Sequence, residues 1–232
     1  MVNNSLAKAK DDKMQVEYES NGVIIKLSPA SIRKYLVNGN GNVTDQEVVM
    51  FLNLCRAQRL NPYLREAYLV KYGDKYPATI VTGKEVFTKR ARRNKDYAGF
   101  EAGIIVQNDS GIDQRAGAFY MDGENVVGGW AKVHIKGYSV PVEMTVSMSE
   151  YIGRKSGGEV NSQWAGKPAT MIRKVALVQA LREAFPEDFQ GLYDQSEIQV
   201  GDIELDESPM DIPQDTPTTT YNEPEAEYDP LS

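Results

Sequence analysis

The sequence predicts an α+β fold in which an antiparallel sheet with a hairpin packs on one long central helix, followed by a disordered acidic C-terminal tail. Three observations predict it. Residues 164–186 read W-A-G-K-P-A-T-M-I-R-K-V-A-L-V-Q-A-L-R-E-A-F-P. Pro168 suits the first turn of a helix and Pro186 cannot continue one, so the roughly seventeen residues between them form a single helix. Residues 97–146 carry short apolar runs separated by turn residues, the pattern of a strand meander. After Pro186 stand 14 acidic residues and no lysine or arginine, so residues 1–186 hold all 26 basic residues against 19 acidic ones, a net of +7 in a chain of net charge -7.

The central helix is apolar almost all round. At 100° per residue, Met171, Val175, Val178, Leu181 and Phe185 share one side, while Ile172, Ala176, Leu177, Ala180 and Ala184 cover most of the rest. Such a helix is buried. It nevertheless carries Arg173, Lys174 and Arg182, and a buried cation without a partner costs several kcal/mol. Lys174 and Arg182 lie about 80° apart around the axis and about 12 Å apart along it, so they can face one groove. Either internal carboxylates fill that groove or an external polyanion does, unless the cations snorkel outward.

With 232 residues the chain is long enough for a real core. Residues 1–200 read as one folded unit whose polar first 22 residues become ordered by contacts with another subunit, and residues 201–232 as the tail. The single cysteine, Cys55, lies in an apolar helical pattern, so a disulfide within the chain and a zinc site built on cysteines are excluded. No apolar run approaches the ~18 residues of a membrane span, and the N-terminus lacks the apolar core of a signal peptide. The expectation is a cytoplasmic protein with no membrane partner.

In chain order, residues 23–27 are a short β-like run, and Ser28-Pro29 opens a helix that stops at Asn38-Gly39-Asn40-Gly41. Thr44-Asp45-Gln46-Glu47 is a capping box. Its helix turns Val48, Phe51, Leu52, Cys55 and Leu60 inward and Asn53, Arg56, Gln58 and Arg59 outward, and Asn61-Pro62 ends it. Residues 66–72 and 76–82 flank Gly73-Asp74-Lys75 as a hairpin whose arms bring Lys71, Tyr72, Lys75 and Tyr76 together. Cations beside rings suit a nucleic-acid strand, although such residues are also ordinary on an exposed hairpin.

Residues 83–95, G-K-E-V-F-T-K-R-A-R-R-N-K, form the most basic segment. As a helix it places Val86, Phe87 and Ala91 on one side, with Lys84, Lys89, Arg92, Arg93 and Lys95 spread over the other, and Arg90 is counted with these cations as an expected nucleic-acid contact. No acid relieves the cations between Glu85 and Asp96, so their repulsion calls for a polyanionic partner such as a phosphate backbone.

The meander follows, with turns at 108–111, 122–125 and 137–138 and apolar segments at Ile104-Ile105-Val106, Ala118-Phe119-Tyr120 and Val126-Val127. Trp130, Lys132, His134 and Lys136 alternate with Ala131, Val133 and Ile135 and read as the wet face of an antiparallel sheet, with a second nucleic-acid surface as the alternative. Residues 147–151 form a short helix, and 153–165 a mobile loop leading into Trp164. The tail is rich in proline and acid, which suits a protein partner, screening of the basic surface, or solubility.

Catalysis finds no motif. Where a P-loop needs its first glycine stands Ala78, and Glu85 replaces the magnesium ligand after Gly83-Lys84. His134 is the only histidine, which leaves triads and histidine metal sites without their usual parts. The chain reads as a non-enzyme without catalytic, cofactor or metal residues.

Leu60-Asn61-Pro62 before a tyrosine-rich hairpin, then Trp164-x-x-Lys167-Pro168-x-x-Met171-Ile172-Arg173-Lys174, and Ala184-Phe185-Pro186 leading to Gly191-Leu192-Tyr193, resemble the RecT and phage beta group of single-strand annealing proteins. The resemblance spans residues 30–197, and the tryptophan-to-proline block is its most specific part. It implies ATP-independent coating of single-stranded DNA and pairing with its complement, in homologous recombination of phage type. It also implies homo-oligomeric rings or helical filaments. The expected partners are a cognate 5′→3′ exonuclease and a host single-strand-binding protein, engaged through the C-terminal region. By position in the block, Arg173, Lys174 and Arg182 become expected DNA contacts, joined by Lys167, Lys71 and the cations Lys84, Lys89, Arg90, Arg92, Arg93 and Lys95, with Tyr72, Tyr76 or Trp164 stacking on bases. The expectation is that the basic helix and the central helix line one groove. A non-annealing single-strand binder or a regulatory DNA-binding protein would use the same basic surface.

Overall fold

The computed structural model describes residues 14–155 and 157–198. Residues 1–13 of the expected polar segment and the expected tail at 201–232 lie outside the described residues. The fold is mixed α+β, with three small sheets instead of one.

Strands β1 (Val16–Ser20) and β2 (Val23–Leu27) form an antiparallel hairpin. Its two-residue turn is Asn21-Gly22, with φ of 56° and 82°, the combination that matches the twist of the flanking strands. Tyr18 Oη donates to the Leu60 carbonyl at 2.7 Å and Ser20 Oγ to the Arg59 carbonyl at 2.7 Å. Residues 16–20 are thus tied to the end of α2 from within the chain.

Helix α1 (Pro29–Ser31) continues as a π-helical turn, Ile32–Leu36, into β3 (Val37–Asn38). The capping box at Thr44 is formed: its Oγ1 accepts from Glu47 N–H at 3.3 Å, and Glu47 Oε2 accepts from Thr44 N–H at 2.8 Å. Helix α2 (Asp45–Ala57) follows and buries Val48, Phe51, Leu52 and Cys55. Strands β4 (Ala67–Val70) and β5 (Thr79–Thr82) make the expected hairpin, and β3 adds to β4 in parallel. A parallel pair needs a crossover, and α2 is that crossover.

Helix α3 (Lys84–Arg93) leads to β6 (Tyr97–Asn108), β7 (Gly111–Ala116), β8 (Asn125–Ile135) and β9 (Val142–Ser147), an antiparallel sheet in the order β7-β6-β8-β9. Ala118-Phe119-Tyr120 lies outside the strands, because Gly117 turns the chain at φ 80° and β7 has already ended. After α4 (Met148–Tyr151), the expected loop carries a bridge between Arg154 and Val160 and then helix α5 (Ser162–Gly166).

Helix α6 (Pro168–Ala184) is the central element. It packs against β6, β8 and β9 on one side and meets α3, α5 and α7 (Pro186–Phe189) on the others. Nine of its residues are buried, including Ile172, Val175, Ala176 and Leu181. Burying each large aliphatic side chain contributes about 1.5–3 kcal/mol, so α6 is the main organiser of the core. Ring contacts close its far end: Phe87 stacks on Phe189 at 5.5 Å, and Tyr97 meets Phe185 edge-on at 6.3 Å.

Candidate nucleic-acid interface

The basic segment folds as its period demands. Val86, Phe87 and Ala91 anchor α3 to the core, while Lys84, Arg92, Arg93 and Lys95 are exposed. The helix starts close to the Asn61 turn, where Gly83 N–H donates to the Glu66 carbonyl at 3.1 Å. A Cβ on Gly83 would stand 2.6 Å from the Arg65 carbonyl oxygen, so only glycine lets the helix start there. Among the described residues Lys84, Arg92 and Lys95 have no carboxylate within salt-bridge distance. Arg93 reaches Asn21 Oδ1 on the β1–β2 turn.

The remaining cations of α3 are already engaged. Lys89, 44% exposed, lies 3.4 Å from Glu66 Oε1 and 3.9 Å from Glu85. Arg90 turns inward and donates to Gln58 Oε1 at 2.7 Å, to the Asp188 carbonyl at 2.8 Å and to the Gln58 carbonyl. Burial lowers its guanidinium pKa. Arg90 therefore clamps α2, α3 and α7 together, with its donors occupied inside the fold.

Beside α3 opens a cleft of about 660 Å³ lined by Arg59, Lys89, Arg90 and Arg93 and by Glu19, Glu66 and Asp188. The basic ridge continues past the helix. Lys136 is exposed and donates through Nζ to the Lys95 carbonyl at 2.7 Å. Arg59 and Lys136 were not singled out from sequence as part of this surface. Arg59 belongs to it because φ of 49° reverses the chain just after α2, a tertiary feature without a sequence period.

The hairpin residues divide. Lys71 is 2% exposed, and its Nζ lies 2.6 Å from Glu47 Oε1, so it cannot hold a phosphate in this fold. Tyr72 is half-buried with its ring against the Tyr68, Val70 and Val81 cluster, and burial raises its phenol pKa. Tyr76 is 63% exposed and free to stack. Trp164 is 2% exposed: its backbone N–H donates to the Asn161 Oδ1 cap of α5 at 3.0 Å and its ring lies close against Gly153, so the ring expected to stack on bases is covered in this fold. Lys167 is exposed at the start of α6.

Internal carboxylates meet two of the three central-helix cations. Lys174 Nζ lies 3.0 Å from Asp194 Oδ1. Arg182 is bidentate to Glu197, at 2.9 and 2.6 Å, and also donates to the Leu192 carbonyl at 3.0 Å. Both acids sit on a strap, residues 192–197, that crosses α6 and is tied to β5 by a Thr82 N–H bond to the Tyr193 carbonyl at 2.8 Å. Arg173 has no carboxylate partner among the described residues. Its Nε donates to the Ala102 carbonyl at 3.2 Å, and burial lowers its pKa. The same carbonyl accepts from Gly117 N–H at 3.0 Å, so Arg173 stands at the root of the loop that carries Phe119, a ring 72% exposed. Because α3 meets α6 through its apolar side, the exposed cations of α3 point away from α6. The structure does not join the two sets in one groove.

Among the described residues no group of three histidine, cysteine or acidic side chains is placed to hold a metal ion, and no helix is long and apolar enough to cross a membrane. His134 forms a surface pair with Glu101 at 2.9 Å.

The family model described as "RecT family" matches residues 23–212. An uncharacterized protein of Ureaplasma parvum serovar 3 is 29% identical over 136 residues, covering 59% of this chain and 52% of that protein. The matched part thus spans about half the length of that curated relative.

Proposed function

The chain belongs to the RecT family, and from that premise we propose that it binds single-stranded DNA and pairs it with its complement without nucleotide hydrolysis. The observation that carries this reading is the ridge of Lys84, Arg92, Arg93, Lys95 and Lys136 on the outer side of α3 and beyond it, where acids do not relieve most of the cations. Two complementary strands repel through their phosphates. A cationic ridge lowers the cost of bringing them together, and the bases supply the pairing energy. Contacts to backbones leave the base edges free, so binding is sequence-independent and falls steeply with salt.

In this reading Arg59 and Lys89 continue the ridge into the adjoining cleft, Tyr76 offers a stacking ring, and Lys167 with Arg173 contributes from the start of α6. Lys174 and Arg182 support the fold through the strap. The protein is not an enzyme in this reading and acts in the cytoplasm. It assembles as a homo-oligomeric ring or filament that multiplies weak contacts along the strand, and works beside a 5′→3′ exonuclease and a host single-strand-binding protein.

The test adds the protein to a labelled oligonucleotide and then its quencher-bearing complement, with no nucleotide present and unrelated DNA as control. Complement-specific quenching well above the protein-free rate is expected. Binding without faster pairing would make it a passive single-strand binder, and preference for one duplex sequence over random DNA would make it a regulator.

A further inference from the structure

We propose that the chain's own acidic C-terminal segment, residues 199–232, docks on the exposed cations of α3 and competes there with polyanions. The inference deepens the reading of α3 as the nucleic-acid face, but the contact itself stands on charge and connectivity within this chain.

Charge is divided along the sequence. Residues 199–232 contain ten acidic side chains and no basic one, whereas residues 84–95 contain six cations and a single acid, Glu85. The strap already does, with the first acids of this region, what the later ones are proposed to do. Asp194 neutralises Lys174 and Glu197 neutralises Arg182. Those two cations need no further acid, while Lys84, Arg92 and Lys95 have no carboxylate partner among the described residues.

Connectivity brings the two together. The strap bonds to Thr82, and Ile198, the last described residue, packs against Tyr68, Val70 and Val81. Thr82 and Gly83 lead directly into α3. The described chain therefore ends beside the sheet whose last strand feeds the basic helix. The eight residues from Ile198 to Asp206 at ~3.3 Å each span up to about 26 Å, against the ~15 Å length of a ten-residue helix. The acids from Asp206-Glu207 onward can thus reach every exposed cation of α3. A tethered segment acts at an effective concentration that reaches the millimolar range, so even weak charge pairing competes at low salt. A single strand that makes many phosphate contacts still displaces it, so the competition weighs most on short or sparse anions.

The experiment uses the full chain with and without the ten acids of 199–232 changed to amides, Asp206→Asn and Glu207→Gln among them. Carbodiimide joins a carboxylate to an amine only where they touch. Crosslinks from the segment to Lys84, Lys89 and Lys95 are expected at low salt. They should disappear at about 0.5 M salt, where screening acts beyond ~4 Å. The amide variant is expected to bind a short single-stranded oligonucleotide about tenfold more tightly at low salt, with the difference lost at high salt. Crosslinks only to lysines elsewhere, such as Lys26 or Lys132, or none at all, would overturn the proposal. So would an oligonucleotide affinity that is measurable in both forms and unchanged in the amide variant. Mixing isotope-labelled and unlabelled chains separates the chain's own segment from a second copy's, and crosslinks found only between chains would also overturn it. If crosslinks to α3 form but no form of the protein binds DNA, the contact stands and the function proposed above fails.

Discussion

Lys71 Nζ stands 2.6 Å from Glu47 Oε1, with 3% of the lysine side chain and 15% of the glutamate side chain exposed. The same oxygen accepts from Ala78 N–H at 2.7 Å, and the other accepts from Thr44 N–H at 2.8 Å. One carboxylate thus ties the start of α2 to both arms of the β4–β5 hairpin. Removing either partner leaves a buried charge. Lys71→Ala and Glu47→Ala should each lower the unfolding free energy by about 3–5 kcal/mol, read from urea unfolding. A loss below about 1 kcal/mol would mean that water reaches the pair.

The pair also sets an acid limit. Burial alone would raise the Glu47 pKa, but the Lys71 ammonium and the Thr44 and Ala78 amides outweigh it and hold the carboxyl at about 2 instead of 4.5. A carboxyl with a lowered folded pKa stabilises fully above its unfolded pKa and loses that contribution as pH falls through the folded one. The stability contributed by Glu47 should therefore decline between pH of about 4.5 and about 2. In Glu47→Gln this part of the acid limb should flatten, which urea midpoints measured across that range would show.

Arg92 and Arg93 are the exposed pair at the end of α3. If both hold phosphates, Arg92→Ala with Arg93→Ala should reduce the slope of log affinity against log salt by about 1.4, at ~0.7 per single-strand phosphate contact. An unchanged slope in a folded double variant would remove α3 from the interface. Arg90→Ala should instead cost stability, because its three donors bind Gln58 and the Asp188 carbonyl.

Local chemistry was legible in the sequence where the signal was local. The Thr44–Glu47 box, the split of α3 into Val86, Phe87 and Ala91 against its cations, and the all-round burial of α6 follow from spacing alone. The sequence offered two occupants for the groove at Lys174 and Arg182, and the structure supplies internal carboxylates. That choice was not readable, since Glu197 lies 15 residues beyond Arg182 and Glu47 lies 24 from Lys71, and no period links such pairs. Trp164 follows a glycine-rich loop and offered a ring for stacking, but its burial against Gly153 is a tertiary contact that no local pattern encodes. Asn21-Gly22 is a local signal too, since that dipeptide specifies the β1–β2 turn within an otherwise polar segment.

The strap allows a cycle test. Asp194 is fully buried, and its Oδ1 serves Lys174 as well as the Ser196 N–H and hydroxyl. Asp194→Ala should cost about 3–5 kcal/mol by leaving Lys174 buried without its partner. Adding Lys174→Met should recover part of that loss, since the coupling between contacting charges is non-additive. Additive losses would mean that Lys174 reaches water once Asp194 is gone.

The closest approach of the sheet to α6 makes the last prediction. A Cβ on Gly129 would lie 2.5 Å from the Ile172 carbonyl oxygen and 3.2 Å from Arg173 N. Both are backbone atoms in the middle of a buried helix and cannot rotate away. Gly129→Ala must therefore lift α6 from β8, loosening Ile172 in the core and the Arg173 bond to the Ala102 carbonyl. Overpacking of this kind costs about 1–3 kcal/mol or more. Gly166→Ala is the matched control, because nothing lies within 4 Å of its added Cβ and the residue is helical. That substitution should be neutral or stabilising by about 0.4–1 kcal/mol through the unfolded chain. Equal thermal midpoints for the two variants would show that α6 tolerates displacement, and its role as the rigid centre of the fold would fall with that result.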